Sequence, residues 1–317
     1  MKTLNRRQFI QHSVAVPVLA VTAPVLAVAA VGGHDTPLLS SEKVVSSSLK
    51  ISIMSYAFHG LLRRGMIDLF GYLETSKYRY HLQAVHLWSG YFESTDEAYL
   101  MKVKEAVAER ELAIGEIAVD GAHVWDDDSA VRAKNHENAK AYLNAARFLG
   151  IPFVRIDAGG NRETMVWTDD EFDHIVGRFK EYAQYAQDHG FRVGAENHWG
   201  PEKRWDNYQK LYHAVDHPAF GLSCHLGSWA GTEEEKRIAD RECAPWVCCT
   251  HIDWNICTGP LLEEKLTNLW NVGYAGYYSV EHHTGKDEYR EVEIQLALVR
   301  DKLERFKEAG APGTSEE

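Results

Sequence analysis

The sequence is short of the features that mark a nucleic-acid binder, a disulfide scaffold or a dinucleotide fold. Bases are outnumbered by acids, 34 to 46, so the formal charge is −12, and such a surface repels phosphate backbones. Cysteine is scarce and confined to the last third: Cys224, Cys243, Cys248, Cys249 and Cys257. An odd number at irregular spacing is no disulfide framework, although one bridge could form after export. Cys248 and Cys249 fall within a strand-like run, which reads as core packing rather than redox chemistry. No glycine-rich phosphate loop follows the first apolar run, so a dinucleotide fold has no support. Beyond one short linker there is no low-complexity tract, and nothing marks a second domain.

What is present begins with a leader. Asn5, Arg6, Arg7, Gln8, Phe9 and Ile10 are similar to a twin-arginine motif, and an uncharged apolar stretch follows from Val14 to Val31. Ala27, Val28 and Ala29 offer a cleavage site. Residues 1–31 are therefore expected to direct export, periplasmic or otherwise extracytoplasmic, with membrane contact only through an uncleaved leader. Removing residues 1–30 takes Lys2, Arg6 and Arg7 and no acid, moving the charge from −12 to −15. Residues 32–48, with Gly32, Gly33 and five serines, read as a flexible linker, and residues 311–317 as a disordered tail.

Between them, short apolar runs alternate with amphipathic segments. Strands are expected near 50–57, 82–88, 112–119, 151–157, 191–197, 220–226, 246–252 and 275–281. Helices are expected near 61–76, 95–110, 130–149, 169–189, 203–215, 232–242, 261–272 and 287–309. Gly150 and Gly190 stand where left-handed caps would end two of the helices. Strict alternation of this kind predicts an α/β chain folded as a single (β/α)8 TIM barrel over residues 49–310, rather than an open doubly wound sheet.

Such barrels carry their chemistry at the C-terminal ends of the strands. That rule selects Glu196 and His198, His225, His251 and Asp253, and Glu281 and His283, on the last four strands. Glu196, His225, His251 and Glu281 would stand at one height. Two buried carboxylates are costly unpaired, and a shared cation flanked by two imidazoles removes that cost. The set is expected to hold one divalent metal ion and leave coordination positions for substrate oxygens. Further inward candidates are His86, Trp88, Glu116, Arg155 and Asp157. His86, Trp88, Arg155, His198 and His283 are the expected substrate contacts, Trp88 by stacking on a sugar face. The competing reading makes Arg155, Asp157 and Glu116 an ion network beneath the pocket.

The segments NVGYAGYYSVEHH, VGAENHWG and CCTHIDWN make residues 50–308 resemble the xylose isomerase-like barrel superfamily, specifically its sugar phosphate isomerase/epimerase-like proteins. The resemblance implies metal ligation by Glu196, His251 and Glu281. A family segment like GLTLDIGH reads GLSCHLGS here, so His225 takes the position of a ligating Asp and Ser228 that of a second His. His225 lowers the negative charge of the site by one and shifts preference from Mg²⁺ toward Mn²⁺, with Co²⁺, Fe²⁺ or Zn²⁺ as further choices. The absent His at Ser228 speaks against standard ketose epimerisation. With Glu196 and Glu281 as catalytic acid and base, the implied activity is proton abstraction beside the carbonyl of a small carbohydrate, giving isomerisation, epimerisation or elimination. The implied partner is that substrate, with a homo-oligomer left open. Two alternatives compete: a zinc phosphodiesterase of the apurinic endonuclease type, which needs several ions, and a sugar-binding barrel without turnover.

Overall fold

Eight short segments pair side by side, all parallel: β1 (Ile51–Ile53), β2 (Ala84–Trp88), β3 (Ala113–Val119), β4 (Phe153–Ile156), β5 (Arg192–Glu196), β6 (Phe220–His225), β7 (Val247–Ile252) and β8 (Tyr278–Val280). The coordinates are a computed structural model, which describes residues 49–310; the expected leader, linker and tail lie outside the described residues. The strand order is β1-β8-β7-β6-β5-β4-β3-β2, and a parallel bridge between Met54 and His86 joins the two ends. The sheet is thus a nearly closed barrel of the TIM type, as the alternation predicts.

Around it run α1 (His59–Arg63), α2 (Leu69–Glu74), α3 (Glu97–Glu109), α4 (Ser129–Leu149), α5 (Asp169–Asp188), α6 (Trp205–Val215), α7 (Glu233–Cys243), α8 (Trp254–Thr258), α9 (Leu262–Asn271) and α10 (Glu288–Ala309). Several boundaries have a local cause. Thr168 and Glu171 form a reciprocal capping box that starts α5, and Thr232 and Glu235 do the same for α7, which satisfies backbone N–H groups that have no helical partner. Gly150, at φ 72°, ends α4 in the left-handed region, where glycine carries no β-carbon penalty.

Alternation along each strand divides the side chains. Ile117, Val154, Val193, Leu222, Ile252 and Val280 join the apolar core. The alternate set, Glu116, Arg155, Glu196, Ser223, His251 and Ser279, is also buried. Burying charged groups in a barrel interior is costly unless they are paired, so the geometry of the site is tied to the stability of the fold.

Three segments differ from expectation. Strand β1 stops at Ile53, and Ser55–Phe58 turn into a 3-10 helix, in which the Ser55 hydroxyl accepts from the Trp88 N–H at 2.8 Å. This turn braces β1 against β2. The helix expected near 61–76 is two helices, because Gly65 adopts φ 64° and Asp68 caps a new start by accepting from Gly71 N at 2.7 Å. After β7 the unanticipated α8 is capped by Asp253, whose carboxylate accepts from Ile256 N at 2.8 Å. All five cysteines are free; the sulfurs of Cys224 and Cys243 lie 3.9 Å apart without a bond.

Candidate functional site

The C-terminal ends of β5, β6, β7 and β8 bring Glu196, His225, His251 and Glu281 together. All four are buried, and each offers a ligand atom within 4.8 Å of the others. Oε1 of Glu196 lies 2.7 Å from Nδ1 of His251 and 3.0 Å from Nδ1 of His225. Oε2 of Glu281 lies 3.6 Å and 3.7 Å from the same two nitrogens. A cation bonded at about 2.0–2.2 Å would hold its ligand atoms roughly 3 Å apart at right angles and about 3.5 Å apart at tetrahedral angles, so these separations fit the edges of one coordination shell. The donor set also fits, being two carboxylates and two imidazoles. Glu281 Oε2 is buried with no hydrogen-bond partner, an anionic acceptor that a cation would satisfy.

Burial opposes the charge of Glu281, yet His251 and His283 outweigh it and hold the carboxyl at about 2. Glu196 is likewise kept well below the ordinary carboxylate range, with burial overcome by His198 and His251. Both carboxylates are therefore ionised across the range in which proteins fold.

One layer deeper, Glu116 orients His251. Its Oε2 lies 2.8 Å from Nε2 of His251, and its Oε1 accepts from the Ser223 hydroxyl at 2.7 Å. Burial is again overcome, here by His251 and His86, and Glu116 sits at about 2. A charged carboxylate facing Nε2 keeps a proton on that nitrogen and turns Nδ1 toward the ligand cluster, the arrangement by which outer carboxylates orient ligating imidazoles. His86, expected to contact substrate, is instead fully buried, 3.1 Å from Glu116 through Nδ1. Gly115 makes the room: a β-carbon there would stand 2.3 Å from His86 Nε2. Burial lowers the pKa of that imidazole.

Arg155 is committed to acids. Its Nη1 donates to Asp157 Oδ2 at 2.7 Å, Nε lies 3.2 Å from Glu196 Oε2, and Asp120 Oδ1 is 3.4 Å away. The ion-network reading holds for Arg155 and Asp157, with Asp120 rather than Glu116 as the third member. Glu116 belongs to the histidine row.

Above the cluster is a cavity of about 350 Å³, lined among others by Tyr56, Trp88, His123, His198, Trp199 and His283. Trp88 is held by its indole N–H, which donates to Asp120 at 2.8 Å, and packs edge-on against Tyr56. His123 packs edge-on against Trp199 on the same lining. His198 Nδ1 lies 3.0 Å from Glu196 Oε2, and His283 Nε2 lies 3.4 Å from Glu281 Oε2. Burial lowers the pKa of each, but the adjoining glutamate outweighs it and the net shift is upward. Tyr56, Asp120, His123 and Trp199 were not singled out from the sequence. The available signal was position, since Asp120 follows β3 directly and Trp199 follows His198.

A buried acid flanks the site. Glu202 accepts from Ala158 N at 2.6 Å through Oε2, while Oε1 has no partner. Burial, then the charge of Asp157, raises its pKa well above the usual value. For an acid whose folded pKa is raised, the native state holds the extra proton, so stability falls as pH rises from about 4.5 through the folded pKa. Glu202→Gln keeps the acceptor for Ala158 and removes the ionisation. Thermal melts between pH 5 and 8 should show the variant gaining on the parent by up to about 1.4 kcal/mol per pH unit, and parallel curves would refute the assignment.

A family model described as a xylose isomerase-like TIM barrel matches residues 80–308. Among solved structures, a xylose isomerase domain protein from Planctomyces limnophilus aligns with a TM-score of 0.63 and 16% identity, over 82% of this chain and 98% of that one. A 3-keto-D-glucoside 4-epimerase from E. coli gives 0.65 and 14% over 80% of this chain and 100% of the other. An L-ribulose 3-epimerase gives 0.66 and 14%, over 84% and 100%. At these identities the likeness is one of fold. The chain is also 23% identical over 175 residues to a 1,4-alpha-glucan branching enzyme from Aromatoleum aromaticum, covering 53% of this chain and 26% of that enzyme. It thus spans about a quarter of the length of that curated relative.

Proposed function

The chain belongs to the xylose isomerase-like TIM barrel family, and from that premise we propose that it is a metal-dependent isomerase, epimerase or lyase that removes a proton beside the carbonyl of a keto sugar. The observation that carries this reading is the convergence of Glu196, His225, His251 and Glu281 on one point beneath an aromatic-walled cavity. A divalent ion held there, with Mn²⁺ the first choice for this mixed donor set, supplies Lewis-acid stabilisation of the negative charge that deprotonation creates on the substrate.

The chain's own groups divide the remaining work. Glu196 and Glu281 both border the cavity, and each is ionised and able to accept a proton at one of its oxygens. His198 and His283, adjoining Oε2 of Glu196 and Oε2 of Glu281 respectively, are placed to pass that proton on or to hold a substrate hydroxyl. Trp88, Tyr56 and Trp199 offer flat faces for the apolar side of a sugar ring. The two carboxylates allow a proton taken by one to be returned by the other, which changes configuration, or returned to a neighbouring carbon, which moves the carbonyl. Loss of a β-substituent instead gives elimination. The names of structural neighbours that act on keto sugars and ketoses agree with this substrate class. Export by the twin-arginine route, proposed from residues 5–31, would favour an unphosphorylated substrate such as a ketose or keto glycoside.

Incubating Mn²⁺-loaded protein in D₂O with a panel of ketoses and 3-keto glycosides should place deuterium on the carbon beside the carbonyl, read by proton NMR. No uptake, no isomer and no elimination product across the panel would refute the proposal.

A further inference from the structure

Glu196 belongs to two clusters at once. Through Oε1 it faces His225 and His251; through Oε2 it faces His198 and Arg155. Asp157, Glu196 and His198 themselves offer ligand atoms within 4.8 Å of one another. Two donor sets sharing one carboxylate are the layout of a paired-metal centre, in which ions stand about 3.5–4 Å apart. Asp157 is 1% exposed, and its Oδ1 has no hydrogen-bond partner, so the second cluster holds an unsatisfied anionic oxygen of its own.

A guanidinium already occupies that cluster. Arg155 touches two of the three donors, Asp157 Oδ2 at 2.7 Å and Glu196 Oε2 at 3.2 Å. Its side chain is 6% exposed, and a guanidinium cannot shed its proton to make way. A second divalent ion would have to sit against that fixed charge and beside the first ion, with Asp157 and Glu196, two of its three donors, buried. The two acids that a second ion would neutralise are neutralised by Arg155 instead.

We propose that Arg155 is a built-in cation standing in the seat of a second divalent ion, and that it fixes this centre at one metal per chain. The inference rests on the reading that Glu196, His225, His251 and Glu281 hold the first ion. Its consequence is a choice of reaction class. Phosphodiester cleavage by paired ions needs both attacking and leaving oxygens clamped by metal, whereas proton removal beside a carbonyl needs a single Lewis acid. Arg155 therefore disfavours the hydrolytic alternative by charge, while Glu196 Oε2 stays anionic and oriented.

The test is ion stoichiometry, independent of turnover. The full chain is stripped with chelator, dialysed against Mn²⁺ or Zn²⁺, and analysed for bound metal by plasma mass spectrometry. The parent and Arg155→Lys should bind one ion. Arg155→Met, which keeps the length and removes the charge, should bind two, and the second should be lost again in Arg155→Met combined with Asp157→Asn. A parent that binds two, or an Arg155→Met protein that folds by circular dichroism and still binds only one, overturns the proposal. Should Arg155→Met not fold, the parent decides: with excess Mn²⁺ its electron paramagnetic resonance spectrum should show isolated ions, and a spin-coupled pair overturns the proposal. A parent that binds no ion instead overturns the metal reading on which this one rests, an outcome distinct from a parent with one ion and an unchanged Arg155→Met.

Discussion

Glu281→Gln should lower the rate of deuterium exchange by about three orders of magnitude or more while leaving the barrel folded. The substitution preserves volume in a residue that is only 6% exposed, so packing is not what changes. What changes is that an amide cannot take up a proton and carries no charge toward His283, His251 and His225, the imidazoles that face Oε2. Measuring bound Mn²⁺ alongside the rate separates the two roles. A variant that keeps its ion and loses exchange has lost a proton acceptor; one that loses both has lost a ligand. Retention of more than about a tenth of the parental rate would remove Glu281 from the mechanism, since positioned acid and base groups contribute roughly 10²–10⁴.

How much of this was legible beforehand depends on the kind of constraint. The four ligand-type residues could be found because barrel geometry ties a position in a strand to a place in space: an acidic or imidazole side chain at the C-terminal end of a strand, on the inward parity, can only meet its counterparts. Glu196, His225, His251 and Glu281 obey that rule on four consecutive strands. Local caps were legible for the same reason, as with Gly150, where the requirement is set by the residue and its neighbours. Where chain direction depends on a tertiary partner, sequence reasoning overran. ISIMSYAF reads as one extended run, yet it bends after Met54 because Ser55 answers the backbone N–H of Trp88, a partner 33 residues away.

The grouping of the buried charges was illegible for a different reason. Glu116, Arg155 and Asp157 share an inward parity, so parity alone allows any pairing among them. Which pairs form depends on the stagger of the barrel. The register sets Glu196 beside Ser223, not beside His225, and Ser223 is the residue that reaches Glu116. Asp120 then completes the Arg155 network from the loop after β3. His86 was misread by the same limit: inward parity is shared by residues that line a cavity and residues sealed beneath it, and depth along the strand decides between them.

That depth gives Glu116 the second large expected effect. Glu116→Ala should weaken Mn²⁺ binding by about 10–100-fold, the usual cost of removing the carboxylate behind a ligating imidazole, and exchange should fall with it. No substrate would touch Glu116, which is fully buried; on the proposed reading it would act by fixing the proton on His251 Nε2 and leaving Nδ1 to face Glu196 and Glu281. Glu116→Gln is the informative control, because its amide oxygen can still accept from Nε2 without the negative charge, and it should fall between parent and Ala. The Ala variant also strands the Ser223 hydroxyl and two imidazoles, each worth about 1–3 kcal/mol if left unsatisfied, so metal-free stability must be measured beside affinity. A purely structural Glu116 would lower stability in both variants and leave the Mn²⁺ affinity of the folded fraction unchanged. An orienting Glu116 moves that affinity in the order parent, Gln, Ala, because tautomer and ring direction of His251, not the integrity of the barrel, set how well the ion is held.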